Sequence, residues 1–323
     1  MHPLSGRRHL HRSVGVVCAA VLLAACSSPA GKGRTDEKSE PEISSTPTMP
    51  STVGLRFPLD AYDATQEETT ALQQGQGVLI SRCMERFGFR YSLPSRPASA
   101  AAGRTNARIF GVVDENEAAR YGYSAPGDAQ PPGRTSQSLT ASEEIALHGA
   151  PDLKPADMPM SQAEAEKKGG GKQRINGKAV PVGGCGREAF LKLYAPEPNA
   201  VDALYVFNLK SQAESRARED SRTKTVNKNW SDCMARKGHT ASDPMNATTE
   251  LGITDDALTS PAAITAAKAD AACKREVGLI GVYFAVQSAY QKRQIDKNAE
   301  TLDLAKKQLK DRLKLAASLI SSP

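Results

Sequence analysis

The residues whose type and spacing could do chemistry are cysteines, and four of them sit in two duplicated settings. Cys83-Met84-Glu85-Arg86-Phe87-Gly88 and Cys233-Met234-Ala235-Arg236-Lys237-Gly238 share the pattern C-M-x-R-x-G, each followed at the same distance by a proline, Pro94 or Pro244. Cys185-Gly186-Arg187-Glu188 and Cys273-Lys274-Arg275-Glu276 share C-x-R-E. Two pairs of echoes in one chain mark an internal repeat. Thiols in such a pattern can close disulfides or hold zinc. Zinc sites ordinarily draw on close pairs such as C-x-x-C, and the chain has none. Two disulfides are therefore expected. Four cysteines allow three pairings, and the repeat selects among them. If each C-M-x-R-x-G helix closes on the C-x-R-E segment that follows it, the bridges are Cys83–Cys185 and Cys233–Cys273. Each would join the end of one helix to the start of another. No other constellation carries chemistry. There is no G-x-S-x-G, H-E-x-x-H, G-x-G-x-x-G or phosphate-binding glycine loop. His239 and Asp243 lie past a helix end, Asp255 and Asp256 diverge on any helix, and the Arg-Glu pairs at 187–188 and 275–276 read as solvated faces or as bridges between the repeats. Catalytic, cofactor and metal residues are accordingly none; paired carboxylates assembled from distant positions stay open.

A fifth cysteine has a different setting. Arg7, Arg8 and Arg12 precede an apolar run, Val14 to Ala25, too short for a permanent membrane span. It stops at Leu23-Ala24-Ala25-Cys26, which resembles the lipobox of bacterial lipoproteins. The resemblance implies cleavage before Cys26 and a diacylglyceryl group on its sulfur. Two acyl chains hold where one does not, at about 0.8 kcal/mol per buried methylene. The expectation is a protein lipid-anchored to the outer face of the cytoplasmic membrane. Export by the general or the twin-arginine route stays open.

Losing the three arginines lowers the formal net charge from +6 to about +3. Charges of both signs are interspersed, without a basic stripe interleaved with aromatics, so nucleic acid is not an expected partner. Of five histidines only His148 and His239 lie beyond the signal.

The elements that must position these cysteines read as helices. After a signal peptide over 1–25, residues 26–55 form the lipidated cysteine and a Ser/Pro/Thr-rich tether expected to be disordered, with an r.m.s. span of roughly 30 Å and a contour near roughly 100 Å. Residues 56–320 form the folded domain. Thr65 and Glu68 make a capping box for a helix ending at Gly88, with Gly75 and Gly77 as weak points inside it. Residues 92–180 read as a long, loosely structured insertion with short elements at Ile109–Val113, Ala118–Tyr123 and Ser142–His148, ending in a hairpin turned by Asn176-Gly177. Trp230 stands one turn before Cys233, as Ile80 stands before Cys83, and reads as core beside the disulfide. Residues 261–320 read as a long C-terminal helix, with Pro261 at its first position and Thr259 or Ser260 as cap. The stretch 292–320 suits either an amphipathic coiled-coil arm for a protein partner or a helix packed on its own domain.

The fold class is thus mainly α: a disulfide-stapled helical domain with an irregular insertion carrying a small β-hairpin and a long C-terminal helix. The whole resembles poorly characterised helical lipoproteins of high-GC Gram-positive bacteria, a resemblance that brings no activity with it. A binding or scaffolding module at the cell envelope is the leading expectation. An envelope enzyme acting on wall glycan or peptide, or an accessory subunit of an envelope transporter, is the alternative.

Overall fold

The structure is a computed structural model that describes residues 39–49, 51–91, 106, 108–126 and 138–321. The expected signal peptide, Cys26 and Pro94 lie outside the described residues. The chain is mainly α with one two-stranded antiparallel hairpin. The helices are α1 (Gln66–Glu85), α2 (Glu115–Tyr121), α3 (Ala141–His148), α4 (Gln162–Lys168), α5 (Gly184–Tyr194), α6 (Tyr205–Glu219), α7 (Ser221–Arg236), α8 (Ala247–Glu250), α9 (Pro261–Glu276), α10 (Leu279–Lys297) and α11 (Ala299–Ser321). Strands β1 (Arg174–Ile175) and β2 (Lys178–Ala179) form the hairpin, and a 3₁₀ turn spans Pro58–Tyr62.

Local sequence signals account for most boundaries. The Thr65 hydroxyl accepts from the Glu68 amide, and the Glu68 carboxylate accepts from the Thr65 amide, so α1 starts on a reciprocal box. Ser260 caps α9 with Pro261 at its first position. Asn176 (φ 51°) and Gly177 (φ 75°) both take the left-handed region, as a two-residue hairpin turn requires.

Three expectations need correction. The tether does not extend to residue 55, because residues 40–55 pack on the helices. Glu40 accepts from the Ser221 amide at the start of α7, Ile43 and Met49 rest against buried clusters, and Leu55 is core. A Cβ at Gly281 would overlap the Pro47 carbonyl oxygen, so this glycine lets the extended chain lie directly on α10. Composition suggested disorder, but a few apolar side chains with prepared sites suffice to hold a short strap.

Nor are residues 92–180 loose throughout: the short elements expected near 118–123 and 142–148 form as α2 and α3 and dock on the domain. Among the described residues, α2 packs on α9, while α3 packs on α5 and α1. Both are short, but each is capped, by Asp114 and by Thr140 respectively. Each buries alanines and other small side chains: Ala118 in one, Ala146 and Leu147 in the other.

The segment 261–320 is three helices rather than one. Gly278 (φ 66°) separates α9 from α10, and Asn298 separates α10 from α11. The 23-residue α11 is still a long C-terminal helix. Its apolar face lies along α1. Ala316 is fully buried there beside Leu72, and a Cβ at Gly75 would come within 2.8 Å of the Ala316 Cβ, while Leu302 near the start of α11 is buried against Leu59, Val206 and Leu209. The weak point inside α1 is the site of closest helix contact. No helix among the described residues is long and apolar enough to cross a membrane.

Candidate functional site

The cysteines pair as Cys83–Cys185 and Cys233–Cys273, with Cα separations of 5.5 and 5.7 Å. These are the pairs the repeat implies. Around each bridge the other repeat residues do the same work twice. Gly88 (φ 85°) and Gly238 (φ 82°) end α1 and α7, and the next amides, of Phe89 and His239, return to the carbonyls of Met84 and Met234. Arg86 then pairs with Glu188, and Arg236 with Glu276 at 2.6 Å. So the Arg and Glu of the motifs clamp the two halves within each repeat; they do not bridge one repeat to the other. At Glu188, burial pushes the carboxyl up, but Lys192 and Arg86 outweigh it and hold it below the usual range.

The two clamps differ in one respect. Cys185 is at the start of α5, as expected, because Gly183 and Gly184 (φ 80° and 73°) break the chain just before it. Cys273 lies in the last turn of α9 instead, because that helix starts far upstream at the Ser260 cap. The first clamp is also closed over by the hairpin: Asn176 Nδ2 donates to the Phe87 carbonyl and Lys178 Nζ to the Arg86 carbonyl, both at 2.8 Å. These are the carbonyls a helix end leaves open.

Beside the second clamp lies a charged network that sequence reasoning missed. Asp270 and Lys274 are buried, at 0 % and 1 % exposure, and pair at 3.0 Å. Trp230 Nε1 donates to Asp270 at 2.9 Å, confirming Trp230 as core. Lys274 Nζ also donates to the carbonyls of Phe110 (2.9 Å) and Val112 (3.1 Å). All three ammonium hydrogens thereby have acceptors. Gly111 between those carbonyls has φ 70°, and a Cβ there would sit 3.1 Å from Nζ. Burial pushes the Asp270 carboxyl up, against the opposing pull of Lys274 and Trp230. A raised carboxyl suggests an acid catalyst, but this one is sealed from solvent and holds the 110–112 segment to α9. The only sequence clue was the lysine inside C-x-R-E.

The open surface offers a different kind of place. The strap and 3₁₀ turn at Arg56–Ala61 meet α10 along a cleft of about 500 Å³ lined by Arg56, Phe57, Pro58, Asp60, Ala61, Phe284, Ser288 and Lys292. Phe57 and Phe284 meet with centroids 5.3 Å apart. A smaller recess of about 210 Å³ shares Phe57 and Asp60 and reaches Phe207, Lys210 and Gln291. The turn is locked from beneath. Gln291 accepts from the Leu59 amide at 2.9 Å, and Asp60 accepts from the Phe57 amide, Asn106 and Lys210. Burial pushes the Lys210 ammonium down, but Asp60 and Asp63 outweigh it and hold it above its ordinary range. The carboxylate nearest the cleft is thus committed to structure. Among the described residues Arg56 and Lys292 have no ion-pair or hydrogen-bond partner; the Ser288 hydroxyl also has none there, but it is buried away from solvent.

Elsewhere, His148 lies 3.6 Å from Glu144 on an exposed face, and the His239 side chain stands past the end of α7. Asp255 and Asp256 are both exposed in a 3₁₀ turn. Among the described residues no group of three or more His, Cys, Asp and Glu side chains could hold a metal ion. Comparison with known proteins returns no matching family, no matching curated protein and no matching solved structure.

Proposed function

We propose that the chain is an exported lipoprotein, anchored through Cys26 at the outer face of the cytoplasmic membrane, whose helical domain acts as a binding module. The observation that carries the binding part is the cleft at Arg56–Ala61: an apolar recess with two cations unpartnered among the described residues, on a scaffold whose nearby carboxylate is already committed. The two buried disulfides support the exported part, since such bridges persist in oxidising compartments. The Leu23-Ala24-Ala25-Cys26 stretch supports the anchor. With the packed chain beginning at Glu40, about 13 residues separate it from Cys26, a reach of at most roughly 45 Å.

The test is Cys26→Ser. The wild-type protein is expected to sediment with membranes and to yield an N-terminal peptide with a diacylglyceryl mass on Cys26. The variant is expected in the soluble fraction or as an uncleaved precursor. A variant that stays with membranes at the normal mature mass would overturn the anchor.

A further inference from the structure

We infer that the cleft takes a small anion with a flat apolar body, an aromatic carboxylate being the simplest member of the class. This rests on the binding reading of the cleft and adds the ligand chemistry to it. Helix α10 presents Phe284, Ser288 and Lys292 to the cleft, and residues four apart stack on one helix face. The cleft therefore meets a ring at one end of this row and an ammonium at the other. Arg56 adds a guanidinium beside the Phe57 ring and Pro58. A ligand whose ring lies against Phe57 and Phe284 would direct its charge to Lys292 and Arg56.

Two observations favour an anion over a neutral or cationic occupant. Arg56 and Lys292 are unpartnered among the described residues, whereas Lys210 next door is held by two aspartates. The Asp60 charge is offset by Lys210, so it does not repel an anion. The volume of about 500 Å³ suits a small molecule.

The probe is 2-naphthoate, titrated by calorimetry into the full mature chain carrying Cys26→Ser so that it stays in solution. Its neutral isostere 2-naphthalenemethanol and the variant R56E/K292E provide the controls. Both substituted side chains are exposed, so the variant should keep the wild-type unfolding temperature. We expect saturable naphthoate binding, about tenfold weaker binding of the neutral isostere, and a loss of about tenfold or more in the variant. Equal affinity for acid and alcohol, an unaffected variant, or no saturation by about 5 mM would each overturn the ligand class. So would a change in self-association in place of naphthoate binding, because a second copy would then cover the cleft. None of these outcomes bears on Cys26, which fractionation reads separately.

Discussion

At the scale of single residues, Lys274 is the most exacting position. Its ammonium is out of water and depends on three acceptors drawn from two distant segments. A buried ion pair adds little over a well-packed apolar pair, but removing one partner strands the other charge. Lys274→Met should therefore cost about 3–5 kcal/mol, and D270N/K274M should recover a large part of it. The chain has a single tryptophan, and its indole touches Asp270. Urea unfolding followed by Trp230 fluorescence reads both variants directly. A single variant as stable as the wild type would contradict the account of the network. Gly111 belongs to the same argument, since its positive φ lets the carbonyls on either side of it, of Phe110 and Val112, reach one ammonium.

At the scale of elements, the decisive contact is between α1 and α11. Apolar spacing in 292–320 left open an arm for a partner or a helix packed at home. The second obtains, because Gly75 removes the side chain that would hold α11 away. Leu304 and Leu315 keep 38 % and 37 % exposure on another flank of the helix. A glycine in a helix interior costs roughly 1 kcal/mol relative to alanine. Gly75→Ala would gain that propensity, yet its Cβ would press on the Cα and Cβ of Ala316 at 2.9 and 2.8 Å. A backbone atom cannot swing aside, so the clash should win and the net change should be a loss of about 1–3 kcal/mol. Adding Ala316→Gly should restore part of it. Thermal unfolding of the two singles and the double measures the coupling; purely additive effects would show that the helices do not meet there.

At the scale of the whole molecule, stability is divided between two bridged cores. Cys83–Cys185 spans 102 residues and Cys233–Cys273 spans 40. Loop-closure entropy bounds their contributions at about 4.7 and about 3.9 kcal/mol. The longer bridge also holds α5 against the end of α1, where α3 and the hairpin pack. Replacing Cys83 and Cys185 by serine should raise amide exchange across residues 138–180. Replacing Cys233 and Cys273 should raise it across α9 and the start of α10, leaving the hairpin protected. Exchange profiles of the two double variants check this. Identical profiles would mean that the bridges stabilise one undivided core.

The sequence by itself determined what short-range patterns encode. Caps at Thr65 and Ser260, the Asn176-Gly177 turn, glycine stops at Gly88 and Gly238, and helical periodicity act within a few residues, so each was legible from neighbours alone. The cysteine pairing was also legible, because duplication reduced three possibilities to one. Only the tertiary structure decided what those elements touch. An amphipathic face states that it will be covered but not by which helix, so neither the seating of α11 on α1 nor the strap on α10 could be read from its own pattern. The role of Lys274 was not legible because two of its three acceptors lie more than 160 positions upstream. The cleft was hidden for the same reason. Arg56 and Phe57 lie at the very start of what composition marked as the folded domain, directly after the expected tether, while Ser288 and Lys292 are unremarkable on α10. Their shared chemistry exists only once the 3₁₀ turn is pinned by Gln291 and Lys210.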